Sequence, residues 1–398
     1  MSEGPWLTII GLGEDGPEGL SDASRTALAA AKVVMGPPRH LSLLPEIVAQ
    51  RVEWPVPFAD GIAQLLEFRG QATVVLASGD PFWFGAGSVL ARHLEPGEWV
   101  AHPGRATFSL AAAAMAWPLE KTTCMGLHAA PLSRLRPVLA EGQRAILLLR
   151  DGDAAAQLAE YLSNEGFGAS QMHVLEALGG PRERQRQTTA STFAFDDISH
   201  PVCVALECAG GLALPTVPGR STVWFDHDGQ ISKPPMRAMT LAALAPSAGA
   251  HLWDIGGGSG AVAIEWLLSH PTTTATSFEA DPTRAARIEG NAVRLGVDRL
   301  RVLTGRAPAV LQDETPPDAV FIGGGLSEVL LDHLWQMLPA GTRVVANAVT
   351  LESEALLATW QARNGGDLLR VELSRAQPLG SRRGWSAANP IVQWSVQR

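Results

Sequence analysis

Short apolar runs of strand length alternate with amphipathic stretches of helix length along the whole chain. In the first half, residues 7–10, 33–35, 73–77, 145–149, 172–175 and 202–206 predict strands. Residues 21–32, 62–69, 88–93, 109–116 and 153–165 predict helices between them. Continuous apolar runs mark strands buried on both faces of a parallel sheet, with helices as the crossovers. The rhythm continues in the second half. After a strand ending at Ile255, further strands are predicted at 274–278, 300–303, 319–322, 343–346, 368–373 and 391–396, seven in all. The fold class is α/β in both halves.

The rhythm breaks over 209–235, where glycine and proline recur and Asp226-His227-Asp228-Gly229 is followed by Lys233-Pro234-Pro235. Such stretches punctuate chains at domain boundaries. The expected organisation is a first domain over 1–210, a linker over 211–232 and a second domain over 233–398, which suits a chain of 398 residues.

Composition then narrows the function classes. With 46% hydrophobic and 18% charged residues, the chain is not of the disordered type. It has no apolar run of the ~18 residues that would span a bilayer, so no membrane partner is expected. The opening Met-Ser-Glu-Gly-Pro-Trp lacks a cationic stretch followed by an apolar one, which argues against a signal peptide. Cys124, Cys203 and Cys208 make neither a disulfide scaffold nor a zinc pattern, so the expectation is a cytoplasmic protein without a metal site. The net charge of −9 divides as −8 over 1–210 and −1 over 211–398. Neither half is basic, and no nucleic-acid partner is expected. Only three lysines occur, so positive charge is almost wholly arginine.

The sharpest local signal is Asp254-Ile255-Gly256-Gly257-Gly258-Ser259-Gly260, which lies between a strand and an apolar helix. Glycines there let backbone approach a ligand, and the helix start offers free N–H groups. Gly256, Gly258 and Ala261 also satisfy the dinucleotide fingerprint, so the loop by itself leaves a nicotinamide cofactor and S-adenosylmethionine both open. The spacing Asp254-x-Gly256-x-Gly258-x-Gly260 resembles motif I of class I methyltransferases. Glu279 ends the next predicted strand, 23 positions beyond Gly256, near the ~20 expected of an acid that grips ribose hydroxyls. Ala307, at the end of the following strand, is a further cofactor candidate. The runs ISKPPMRAMTLAAL, WDIGGGSGAVAIEW, PPDAVFIGGG and NAVTLESEALL resemble the decarboxylating precorrin methyltransferase domain of cobalamin biosynthesis, over residues 231–398.

In the first half, Gly11-Leu12-Gly13 follows a strand, and Ser78-Gly79-Asp80-Pro81 follows another. This pair of loops resembles the tetrapyrrole methylase family over about residues 5–208, which implies two α/β subdomains with S-adenosylmethionine bound between them. Gly11, Gly13, Gly79, Asp80 and Pro81 are the matching cofactor candidates. His102-Pro103-Gly104 stands where that family crosses between subdomains. The chain departs from the pattern at His128-Ala129-Ala130, where an arginine is missing, and at Arg105-Ala106-Thr107, where Arg105 is a candidate replacement.

The two domain types in this order resemble the precorrin-6Y C5,15-methyltransferase (decarboxylating) family. The resemblance implies two S-adenosylmethionine sites, one per domain. It also implies C5 methylation by the first domain, and C15 methylation with decarboxylation of the ring C acetate by the second, to give precorrin-8. A homo-oligomer is the expected state. A substrate with several carboxylates needs a locally basic site, and arginine pairs with carboxylates bidentately. Lys233, Arg237 and Arg306 are the candidates for catalytic positioning. Arg105, His102, His128, Arg382 and Arg383 are the candidates for gripping the tetrapyrrole. A nicotinamide-dependent oxidoreductase and a non-catalytic precorrin carrier are the competing classes. Cofactor titration separates the first, and single-turnover assays with labelled methyl donor separate the second.

Overall fold

A computed structural model describes residues 4–398, so the first three residues of the N-terminal stretch read above lie outside the described residues. The chain divides into two compact units, one of residues 4–131 and 138–212 and one of residues 132–137 and 213–398. No helix among the described residues is long and apolar enough to cross a membrane.

The first unit holds two five-stranded sheets. The first sheet contains β1 (Leu7–Leu12), β2 (Val33–Gly36), β3 (Gln50–Glu53), β4 (Thr73–Ser78) and β5 (Trp99–His102), ordered β3-β2-β4-β1-β5 and parallel throughout. Leu7, Ile9, Met35 and Val75 pack in a core on one face, while Ile10, Leu12, Val34 and Leu76 pack on the other. Burial on both faces is why these strands read as unbroken apolar runs. The edge strand β3 reads Gln-Arg-Val-Glu and buries only Val52, which is why its pattern shows no strand. The second sheet contains β6 (Thr123–Gly126), β7 (Arg144–Leu148), β8 (Gln171–Glu176), β9 (Arg184–Thr189) and β10 (Val202–Glu207), ordered β6-β7-β10-β8-β9. Only β6 and β7 pair in parallel.

The second unit is built on one seven-stranded sheet, as its sequence predicts. β11 (His251–Ile255), β12 (Thr274–Glu279), β13 (Arg301–Thr304), β14 (Ala319–Ile322) and β15 (Arg343–Ala348) are parallel. After β16 (Asp367–Val371) comes an exposed hairpin of β17 (Ser374–Leu379) and β18 (Arg382–Ala387). The last strand, β19 (Ile391–Gln397), runs antiparallel between β15 and β16, giving the order β13-β12-β11-β14-β15-β19-β16. The strand order reverses between β11 and β14, and in open α/β sheets ligands bind in the crevice at that switch point. Side-chain caps set several helix starts: Asp281 accepts from the Thr283 and Arg284 N–H groups, and Ser327 from Leu330 N–H.

Of the stretch 211–232, expected to be a linker, residues 213–232 belong to the second unit. Leu214, Phe225 and Ile231 are buried in the cluster around Leu252 and Ile264. Asn291 fixes Asp226 by two hydrogen bonds, accepting from its N–H (2.8 Å) and donating to its carbonyl (2.9 Å). Glu265 explains the rest. It sits on the helix Ala261–Ser269, which is buried nearly all round, so its carboxylate needs partners. It accepts from Gly219 N–H (2.7 Å), Arg220 N–H (2.9 Å) and Arg237 Nε (2.8 Å). Proline and glycine here mark a strap tied to the domain, not a free connection.

Candidate active site

In the second unit a cavity of about 1120 Å³ opens at the switch point, lined by the glycine loop after β11, by Glu279 and by Gly323–Gly325 after β14. The four glycines of the loop have different reasons to be glycine. A Cβ at Gly256 would lie 2.6 Å from Gly324 Cα, one at Gly257 2.1 Å from Ser277 Oγ, and one at Gly260 2.7 Å from Ile288 Cγ2. These three serve close packing of the loop on its own unit. Gly258 is left-handed (φ 60°), and a Cβ there would have Gln230 O at 3.6 Å as its nearest neighbour. It is the loop position open to a ligand.

Two acids flank it. Asp254 is fully buried at the end of β11, and burial, reinforced by the charge of Glu279, pushes its carboxyl up to about 7. Ser277 Oγ donates to it at 3.3 Å. Glu279 ends β12, where one oxygen accepts from Gly258 N–H (2.8 Å) and the other from Asp281 N–H (3.1 Å). The carboxylate is thereby held against the ligand-open glycine of this loop. Lys233, Arg284, Arg306 and Ala307 line the same cavity.

In the first unit the loop glycines meet one another. A Cβ at Gly11 would fall 1.8 Å from the Gly79 carbonyl oxygen and 2.3 Å from Gly104 N, and Gly104 N–H donates to that carbonyl at 2.9 Å. Beside these loops lies a second cavity, of about 700 Å³, lined mainly by apolar groups including Trp54, Trp83, Phe84 and Phe108. Asp80 accepts from Phe82 N–H at 2.8 Å, which shapes the loop that carries the aromatic residues. At the cavity wall Ser78 stands beside buried His40. Arg39 Nη2 donates to His40 Nε2 (2.7 Å) and to Ser78 Oγ (2.9 Å), and its other nitrogen pairs with Glu14. Burial, followed by the neighbouring Arg39 charge, pushes the His40 imidazole down to about 3, so it is neutral.

Two family models divide the chain between them. Residues 6–194 match the tetrapyrrole (corrin/porphyrin) methylases, and residues 223–398 match the precorrin methyltransferase domain. Over 397 residues the chain is 45% identical to a precorrin-6Y C(5,15)-methyltransferase [decarboxylating] of Sinorhizobium sp, covering 98% of this chain and 96% of that protein. The chain belongs to the precorrin-6Y C5,15-methyltransferase family. A Mycobacterium tuberculosis protein of the same name is 41% identical over 400 residues, covering 98% of this chain and 100% of that one. A cobalt-precorrin-6B C(15)-methyltransferase (decarboxylating) of Salmonella typhimurium is 29% identical over 173 residues, which is 42% of this chain and 89% of that protein.

Within that family frame, the structure sorts the residues picked out from the sequence. Asp254, Gly258, Glu279, Lys233, Arg306 and Ala307 come together around the second unit's cavity or directly behind it. Arg237 does not. It is 0% exposed, paired with Glu265, and donates to the backbone carbonyls of Ser232 (2.6 Å) and Arg220. Its guanidinium holds the strap and faces no open cavity. Arg382 and Arg383 lie on the exposed hairpin strand β18, outside the cavity wall. In the first unit His128 and Asp80 line the cavity, Arg105 pairs with Asp15, and His102 is half-buried on β5.

Three groups were missed from the sequence. His40 and Ser78 are 38 positions apart and meet only through the pairing of β2 with β4. The third is Asn347, which lines the second unit's cavity from the end of β15. Its polar side chain occupies a phase of β15 that Val345 fills with an apolar one, and that mismatch is a signal the sequence does carry.

Proposed function

We propose that the chain methylates a precorrin-6 tetrapyrrole at C5 in the first unit and at C15 in the second, with decarboxylation of the ring C acetate in the second. The observation that carries this reading is the second unit's loop. A ligand-open glycine in that loop, an anchored acid at the neighbouring strand end and a large cavity coincide at the switch point. The Salmonella relative supports the division of labour, since a match of one unit's length covers 89% of a protein named for C15 methylation and decarboxylation.

The residues present fit S-adenosylmethionine. Glu279 has lone pairs left to accept from ribose hydroxyls, Gly258 admits backbone close to the ligand, and Ala307 offers a small wall. When bound, it supplies an electrophilic methyl group on sulfonium. In the first unit Gly11, Gly13, Gly79, Asp80 and Pro81 belong to the loops that would hold a second molecule of it. The protein's own task is placement: an electron-rich tetrapyrrole carbon must be held in line with the methyl group, and such positioning supplies much of the rate. Lys233 and Arg306 stand on the cavity wall, where cations attract the substrate's carboxylates. Arg105, His102 and His128 are the corresponding groups of the first unit.

Calorimetry with S-adenosylhomocysteine tests the reading. Two molecules per chain are expected. Gly258→Arg should remove one of them and abolish C15 methylation, while product mass still shows the C5 methyl group. Binding of none, or loss of both activities in a folded variant, overturns it.

A further inference from the structure

Asn347 and Gln393 are direct partners across the antiparallel pair of β15 and β19, so their side chains share one face of the sheet. The helix Pro234–Leu244 packs on that face and puts Thr240 over both. The three side chains form a closed hydrogen-bonded triangle. Gln393 Nε2 donates to Asn347 Oδ1 (2.9 Å) and to Thr240 Oγ1 (3.1 Å), and Asn347 Nδ2 donates to Thr240 Oγ1 (2.9 Å). Thr240 is 0% exposed and Gln393 4%, so two members are desolvated and belong to the core. Three polar groups at one core site are expensive unless each is paired, and they fix one another's orientation when they are.

Asn347 differs from its partners because it is half-buried and lines the cavity. One hydrogen of its Nδ2 goes to Thr240, and no group among the described residues takes the second. The carboxamide is therefore held through both Oδ1 and Nδ2 and keeps one N–H uncommitted. Its place in the cavity is also distinct. The cofactor candidates Glu279, at the end of β12, and Ala307, just after β13, lie on one side of β11, whereas Asn347 lies at the end of β15, on the other side of the switch point. At about 1120 Å³ the cavity exceeds the ~300–1,000 Å³ of ordinary ligand pockets, which leaves room beyond a cofactor for part of a second molecule. Lys233, at the start of the helix that carries Thr240, lines this cavity too.

We propose that Asn347, aimed by Gln393 and Thr240, is a positioning residue for the substrate of the second unit and donates its free N–H to one of the tetrapyrrole's carboxylates. This rests on the methyltransferase reading above and deepens it. A neutral donor suits the position. It orients a carboxylate without the strong ion pairing of an arginine, and its fixed partners prevent it from following the substrate away from the productive pose.

The test uses the full chain and a precorrin-6 substrate, with KM and kcat measured for the second methylation. For Asn347→Ala, KM should rise about tenfold and kcat fall severalfold, with S-adenosylhomocysteine affinity unchanged within twofold. Asn347→Asp keeps the shape but places a negative charge against the carboxylate, and should raise KM further than alanine does. Thr240→Val, nearly isosteric, should raise KM by a smaller factor because Asn347 stays but loses its hold. C5 methylation and cofactor binding should persist in all three, which reports that they are folded. A KM change below twofold for Asn347→Ala, a parallel loss of cofactor affinity, or an aspartate variant no worse than alanine each overturns the proposal. Failure of the underlying reading appears instead in the unaltered protein, as no transfer of labelled methyl to the tetrapyrrole, and overturns both.

Discussion

In the first unit Gly11, Gly79 and Gly104 are glycines because three loop backbones touch; in the second, Gly258 has a left-handed backbone and room for a side chain. The two loops look alike in the sequence, each a glycine turn between strand and helix, yet at Gly11 the glycine faces neighbouring backbone and at Gly258 it faces a cavity. Their surroundings differ in charge as well. The first has an arginine bound to Glu14 and a neutral imidazole at its margin, while the second has a buried acid, Asp254, directly behind the loop. A glycine motif therefore reports a close approach, and only the neighbouring atoms say whether the thing approached is ligand or protein.

A side chain added to each loop separates the two most strongly. Gly11→Val places atoms inside the Gly79 and Gly104 backbones, which cannot yield as a flexible side chain would. The expected cost is on the order of 4 kcal/mol or more. The first unit should lose its melting transition and C5 methylation together, while the second still binds S-adenosylhomocysteine. A variant that stays folded and merely loses cofactor would show that the first loop is open after all.

Asp254 gives an effect of intermediate size. Its carboxyl titrates near 7 in the folded chain and near the ordinary 3.8 when unfolded, so the folded state holds the proton more tightly. Stability should therefore fall as pH rises from about 4 to about 7 and level off above that. Asp254→Asn removes the dependence. From pH 5 to pH 8 the variant should gain on the order of 2–3 kcal/mol over the unaltered protein. Denaturant titrations of the two proteins at both pH values measure this, and parallel curves would refute it.

The smallest effect is expected from Gly258→Ala. Its methyl group meets no close neighbour, so only the left-handed backbone matters, at roughly 1–2 kcal/mol. The unit should remain folded in thermal melts, and S-adenosylhomocysteine should bind more weakly there. A collapse like that of Gly11→Val would erase the difference between the loops.

Most of the fold was legible because the central strands are buried on both faces and so announce themselves as apolar runs. Edge strands were not. Gln50–Glu53 and Arg184–Thr189 carry polar and charged residues at solvent-facing positions, and their periodicity resembles loop. Residues 211–232 read as a linker because their prolines and glycines are visible locally, while the carboxylate that holds Gly219 and Arg220, Glu265, is more than forty positions away. The misreading of Arg237 has the same origin. A glutamate inside the apolar run Ala-Val-Ala-Ile-Glu-Trp signals a buried acid in need of a cation, and Arg237 is that cation. The Asn347 triangle was out of reach for a different reason, since it depends on the register between two strands 46 positions apart.

The strap has a consequence for how such a chain is cut or joined. Leu214, Phe225 and Ile231 plug the second unit's core, and the Gly219 and Arg220 amides satisfy Glu265, so an autonomous copy of that unit must begin upstream of residue 213. A gene truncated at 233, where the conspicuous Lys-Pro-Pro begins, would encode a domain with an open seam and a buried acid that keeps Arg237 but loses two backbone donors. What looks like the hinge of a fusion protein is, in manufacturing terms, a part supplied with the second component.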